Sequence, residues 1–211
     1  MNDPAVEGSV IVVSAPSGSG KTTLCRRLLG EVAGLVFSIS HTTRPPRPGE
    51  TDGIDYHFVS REEFERRRGA GEFIEWAQVA DHLYGTSAET MRQVVARGAD
   101  ALLDIDTQGA LAIRRTIPEA VLVFILPPGP EALQARLEGR GSETPESLQR
   151  RLGLARGEID KAPVYDYLIV NDDLEAAYER LRAVVLAARC RLGRQQGRLR
   201  SIAARFPPSS R

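Results

Sequence analysis

Lysine is nearly absent from this chain. Of 28 basic side chains only Lys21 and Lys161 are lysines, and the rest are arginines. Anion sites must therefore be built mostly from planar guanidinium forks rather than point charges. Cysteine is equally scarce, at Cys25 and Cys190 alone. Two distant thiols make no disulfide framework and fit a reducing compartment. Charge of one sign is not in excess either, with 28 basic and 28 acidic residues. That balance argues against wholesale nucleic-acid binding and leaves only local basic patches. No apolar run approaches a membrane span, and Met1 to Gly8 holds acids but no Lys or Arg, unlike a secretory leader. The expected location is the cytoplasm. What remains is 211 residues, 42% hydrophobic and 27% charged, enough for one packed α/β domain with small inserted lobes.

The most informative segment is Ser14-Ala15-Pro16-Ser17-Gly18-Ser19-Gly20-Lys21-Thr22-Thr23. Before it lies Val10-Ile11-Val12-Val13, a short β-branched run that reads as a buried strand. After it, apolar residues recur at helical spacing through Leu24, Leu28 and Leu29. Strand, Gly-rich turn and helix in that order make a phosphate cradle, with backbone N–H groups pointing inward and a helix N-terminus behind them. A cation in the first turn of a helix opposes the macrodipole, so Lys21 makes sense there mainly beside an anion. Thr22 supplies the hydroxyl that a phosphate-bound magnesium needs. The pattern G-x-x-x-x-G-K-[ST] is met except at its first glycine, where Ala15 stands.

Buried parallel strands are expected at 10–14, 101–106, 121–126 and 167–171. Helices are expected near 22–30, 87–97, 130–139, 146–156 and 174–194. The alternation predicts a parallel sheet with flanking helices, its ligands beyond the carboxyl ends of the strands. The rhythm breaks between about 35 and 86, where Thr, Pro, Gly and Tyr are frequent and segments are short. This reads as an inserted small β-rich lobe with one helix at 61–68. The polar stretch 140–146 reads as part of a mobile lid. After Glu179 there is no acid but nine arginines, and the end from Phe206 reads as a frayed tail.

Residues 40 to 50 run Ser-His-Thr-Thr-Arg-Pro-Pro-Arg-Pro-Gly-Glu. The prolines favour a polyproline form repeating every three residues, which sends Arg44 and Arg47 to one side roughly 9 Å apart. Two such forks can clamp one phosphate, and a solvated Pro-rich loop is the plainer alternative. With Gly53-Ile54-Asp55-Tyr56 behind it, this segment resembles the GMP-binding signature of guanylate kinases. Further blocks, at Phe73-Ile74-Glu75-Trp76, Tyr84-Gly85-Thr86, Leu103 to Gly109, Arg136 to Gly141 and Ile169 to Asp173, are similar to family blocks in order and spacing. The resemblance runs from about Gly8 to Leu192, and Ala15 also matches a branch of the family.

The resemblance implies a P-loop kinase core at about 8–34, 87–135 and 157–194, a GMP-binding lobe at 35–86, a lid at 136–156 and a tail at 195–211. It implies that Ala15, Pro16, Ser17, Gly18, Ser19, Gly20, Lys21, Thr22 and Thr23 hold ATP, with Asn171 and Asp172 near the adenine. Arg44, Arg47, Tyr56 and Tyr84 would hold the GMP phosphate, which two fixed cations and two phenolic donors suit. Ser40, Glu75, Thr86 and Asp106 would read guanine. Its N1–H and amine can donate to the two carboxylates and its O6 can accept from hydroxyls, whereas adenine would leave the carboxylates unpaired. Thr86 also opens a capping box, Thr86-Ser87-Ala88-Glu89, for the next helix. Asp106 ends an apolar strand beside the phosphate loop, with Asp104 two residues earlier on the same face. Arg136, Arg140 and Arg151 would flank the transferred phosphoryl group, joining Lys21 and Arg44 as the catalytic set. The cofactor implied is Mg2+, carried with ATP and touching Thr22.

The expected reaction is phosphoryl transfer from ATP to GMP or dGMP. Two other readings stand beside it: a monophosphate kinase of different base choice, and a catalytically silent module of the same fold that binds proteins. The expected partners are small nucleotides, with no nucleic acid and no membrane, and with a homo-oligomer left open by the long final helix.

Overall fold

The computed structural model describes residues 7–139 and 145–207. In chain order these form β1 (Val10–Ser14), α1 (Lys21–Glu31), β2 (Leu35–Phe37), β3 (His41–Thr42), β4 (His57–Phe58), α2 (Arg61–Gly69), β5 (Phe73–Val79), β6 (His82–Ser87) and α3 (Ala88–Ala96). They continue with β7 (Asp100–Asp104), α4 (Thr107–Thr116), β8 (Val121–Leu126), α5 (Pro130–Glu138), α6 (Pro145–Ile159), β9 (Tyr167–Val170), α7 (Leu174–Arg189) and α8 (Leu192–Ala203).

Five strands make one parallel sheet in the order β2-β7-β1-β8-β9. β1 is central, and every one of its residues is buried. Successive side chains alternate faces, so Ile11 and Val13 meet α1 and α7 through Leu24, Cys25, Leu28, Tyr178 and Leu181. Val10 and Val12 meet α3 and α4 through Met91, Ala110 and Ile113. Two covered faces explain why the run is apolar at every position. A third cluster, Leu133, Leu137, Leu148 and Ala155, packs α5 on α6. The second sheet, in the order β4-β3-β6-β5, is antiparallel except for β3 with β4. Phe64 of α2 is fully buried and stacks on Phe73 of β5 with ring centroids 4.5 Å apart.

Several expected boundaries move. Leu35–Phe37, expected in the small lobe, pairs with β7 as an edge strand of the main sheet. The strand expected at 101–106 runs from Asp100 to Asp104 instead. Asp106 lies beyond it as the N-cap of α4, accepting from the Gly109 N–H at 2.8 Å. Ser87, not Thr86, caps α3, its hydroxyl accepting from the Thr90 N–H at 3.3 Å.

The long last helix breaks at Cys190 and Arg191, and residues 192–203 of what was expected as core end and tail form α8. The break has a cause in Asp100, which is fully buried. Its carboxylate takes Arg189 at 2.7 Å and Arg194 at 2.5 Å. Five residues apart on one straight helix, those side chains would point about 140° away from each other.

Candidate active site

The phosphate loop is held open by two glycines in the left-handed region, Gly18 at φ 94 and Gly20 at φ 88. Gly20 is the N-cap of α1, which has no side-chain cap and no acid in its first turn. Its orphan N–H groups and positive dipole end are thus left for an anion. Lys21 at that end bonds Asp104 at 2.5 Å and the Ile105 carbonyl at 3.3 Å. Burial works against its charge, but Asp104 outweighs that and holds its pKa above the ordinary lysine value. Ala15 is buried at the loop's entry, directly after β1, so a methyl group is accommodated there.

A cavity of about 390 Å³ is lined by residues 15–23 together with Ser40, Tyr56, Glu75, Tyr84, Asp104, Asp106 and Glu158. A second, of about 630 Å³, shares Thr22, Ser40, Tyr56 and Asp104 with it and adds Arg47, Glu50 and Asp55. The two cavities lie side by side between the strand ends of the main sheet and the small sheet, with the four shared residues in the wall of each.

At the small-lobe end, Arg44 is buried and donates to the Tyr84 hydroxyl at 3.2 Å. Its Nη2 also spans both Glu50 oxygens at 2.7 and 2.8 Å. Tyr56 packs edge-on to Tyr84 at 5.9 Å, with the Arg44 guanidinium 5.4 Å from the Tyr56 ring centre. The two arginines expected as a clamp thus stand in different settings. Arg44 is already neutralised by Glu50, while Arg47 is exposed on the wall of the second cavity.

Glu75 is 5% exposed and Thr86 fully buried. The Thr86 hydroxyl donates to Glu75 Oε1. That spends its single proton, so Thr86 fixes the carboxylate and is not free to donate to a base oxygen as expected. Burial pushes the Glu75 carboxyl up to about 7; the Thr86 bond pulls it down, and the nearby Asp106 charge adds to the rise.

On the lid side, Arg151 donates to the Ser17 hydroxyl at 3.1 Å. Arg136 of α5 bonds the loop after β9. It donates to the Asn171 carbonyl at 2.8 Å, and the Asn171 amide donates to the Ser19 carbonyl at 2.8 Å. Asp172 is exposed, accepts from the Asp173 N–H at 2.9 Å and lies 3.6 Å from Arg180. Arg140 lies outside the described residues.

A family model described as guanylate kinase matches residues 7–188. The chain belongs to the guanylate kinase family. A guanylate kinase from Symbiobacterium thermophilum is 52% identical over 185 residues, 88% of each chain. One from Neisseria meningitidis serogroup A is 51% identical over 191 residues, 90% of this chain and 93% of the relative. The crystal structure of guanylate kinase from Anaplasma phagocytophilum superposes with a TM-score of 0.82 at 36% identity, covering 97% of this chain and 98% of that one.

Within this guanylate kinase fold, three residues in or near the cleft carried little or no signal in the sequence. Glu50 pairs with Arg44, and only its place in the Arg-Pro-Pro-Arg segment marked it. Glu158 of α6 lines the first cavity, and burial raises its pKa. Lys161 donates to the Thr107 hydroxyl at 3.1 Å, at the start of α4. Glu158 lies in the last turn of α6 and Lys161 just after it, behind a stretch that reads as an ordinary amphipathic lid segment. No helix among the described residues is long and apolar enough to cross a membrane.

Proposed function

We propose that this cleft transfers the γ-phosphoryl group of ATP to GMP, giving ADP and GDP, with the donor phosphates on residues 15–23 and GMP between Arg44 and Glu75. The reaction itself comes with the family. The observation that carries the assignment of ends is that a single 390 Å³ cavity holds both an uncapped helix N-terminus with Lys21 and a buried carboxylate, Glu75. One is an anion site. The other is a reader of N–H donors.

In this reading Lys21 and the loop N–H groups hold the β- and γ-phosphates, and Thr23 and Pro16 shape the loop around them. Arg44, Arg47, Tyr56 and Tyr84 take the acceptor phosphate, with Arg44 released from Glu50 as the dianion arrives. A GMP phosphate oxygen, already an anion, attacks the γ-phosphorus while the bond to the bridging oxygen of ADP breaks, so no general base is needed. The transition state is loose, and positioning with charge stabilisation does most of the work. Arg151, next to Ser17, is placed to neutralise it. Arg136 serves instead to tie the lid base to Asn171 at the adenine side, and Arg140 is assigned by family resemblance alone. Guanine donates its N1–H and amine to Glu75 and Asp106, while Ser40 donates to O6.

The donor set near Lys21 suits magnesium. Thr22 offers a hydroxyl and Asp104 a carboxylate, reached directly or through water, leaving the other positions to phosphate and water oxygens. Bound with ATP, the metal neutralises phosphate charge and orients the β- and γ-groups. In this reading the small lobe, about 38–86, and the lid, with α6 at its centre, close over the reactants and exclude water. A cytoplasmic setting and a place in purine nucleotide metabolism fit this chemistry.

The test is a coupled assay of ADP release from Mg-ATP with GMP, dGMP, AMP and UMP offered separately. Turnover confined to guanine nucleotides is expected. Turnover with AMP or UMP would overturn the base assignment, and GMP binding without turnover would return the protein-binding module as the better reading.

A further inference from the structure

Gly109 stands third in α4, inside a regular helix. A helix interior needs no glycine for its backbone, and glycine there costs about 1 kcal/mol relative to alanine. Its conformation does not explain it, since its φ is not among the positive ones. Its surroundings do. A Cβ built on Gly109 would sit 2.7 Å from Glu75 Oε2, 3.2 Å from the Ile105 Cδ1 and 3.3 Å from the Glu75 carboxyl carbon. The Gly109 N–H donates to Asp106 Oδ1 at 2.8 Å. One residue thus touches both carboxylates assigned to the base.

We infer that Gly109 is a positioning residue for base selection: lacking a side chain, it seats the Glu75 carboxylate at the spacing from Asp106 that a guanine edge needs. This rests on the reading that Glu75 and Asp106 hold guanine. Glu75 cannot simply back away from an added methyl group, because its other oxygen is held by Thr86, itself fully buried. Either the carboxylate rotates or the first turn of α4 shifts, and the shift carries the capping Asp106 with it. Both movements change the distance between the two acceptors. A base offering two donors to two carboxylates, N1–H and the 2-amine, is sensitive to that distance. Hypoxanthine, which has N1–H and no amine, is far less so. The penalty therefore falls on GMP and spares IMP.

A double-mutant cycle on the full chain tests this, with kcat/KM for GMP and IMP and thermal melting measured for wild type, G109A, E75A and E75A/G109A. G109A is expected to lower kcat/KM for GMP about 10- to 100-fold and that for IMP less than about 3-fold, the loss appearing mainly in KM. In the E75A background the same change should be nearly silent, because the atom it strikes is gone. Equal losses for GMP and IMP, or an undiminished effect of G109A without Glu75, would overturn the inference and leave Gly109 a packing residue. Should G109A alone fail to fold, the cycle is read in stability: E75A/G109A melting like E75A supports the contact, and its failing to fold as well overturns it. The underlying base reading fails separately, if E75A by itself keeps the wild-type kcat/KM for GMP.

Discussion

In the proposed reading Glu75 accepts a guanine N–H as a carboxylate, yet it is buried where charge is disfavoured. Its carboxyl titrates near 7, above the ordinary 4.5. Between those values the folded chain keeps a proton that the unfolded chain has released, so stability falls as pH rises through that window. For this one group the total is on the order of 3 kcal/mol. E75Q should therefore gain thermal stability over wild type at pH 8 and show no gain at pH 4, as read by melting temperature across pH. The same titration should appear in activity. KM for GMP is expected to rise as pH falls below about 7, and that acid limb should vanish in the much weaker E75Q enzyme. In the same proposed reading Lys21 serves ATP. K21M removes the cation facing the donor phosphates and should lower kcat about 100-fold or more while moving KM for GMP less than about 3-fold.

At the scale of elements, β7 connects two ends with different tasks. Its last residue, Asp104, holds Lys21 in the cleft, and its first, Asp100, holds α7 and α8 at the opposite edge. None of the residues of α8 is buried. Its attachment rests on Arg194, with Gln195 donating to the Arg189 carbonyl at 2.7 Å. Replacing Asp100 leaves two guanidinium groups without their shared carboxylate and the Ser9 N–H without its acceptor. D100A should cost about 3–5 kcal/mol, seen as a lower denaturant midpoint. Hydrogen exchange in α8 should rise to that of an unprotected helix. KM for GMP should not change, because the cleft lies at the far end of the strand.

Taken whole, the molecule is a parallel sheet with a second, smaller sheet beside its cleft. Contacts already reach across it: Arg151 to Ser17 at 3.1 Å, and Arg26 of α1 to Asp55 of the small lobe at 3.4 Å. Ligands that bind only the folded cleft stabilise it by mass action. GMP at 100 times its Kd should add about 2.7 kcal/mol, or about 5–10 °C in melting temperature for a chain of this size. AMP at the same concentration should add little. K21M should keep the GMP protection and lose most of that given by ADP.

What the sequence determined by itself was local in origin. The phosphate loop, the central strands and the Arg-Pro-Pro-Arg segment are runs of about ten residues or fewer, whose periodicity, glycines and prolines act over that distance. Strand 121–126 falls where the apolar run predicts it. What only the tertiary structure decided depends on partners far apart in the chain. Three residues at Leu35–Phe37 are too short to show a period, and join the main sheet because β7 lies beside them. The last helix breaks because Asp100 lies 89 residues before Arg189 and draws two arginines to one point. Thr86 gives its proton to Glu75 across the β5–β6 pair, and Arg136 turns to Asn171, 35 residues on. Residue type and spacing set which chemistry was present. Burial and packing set which atoms face each other, and with them which carboxylate, hydroxyl and guanidinium are free to act.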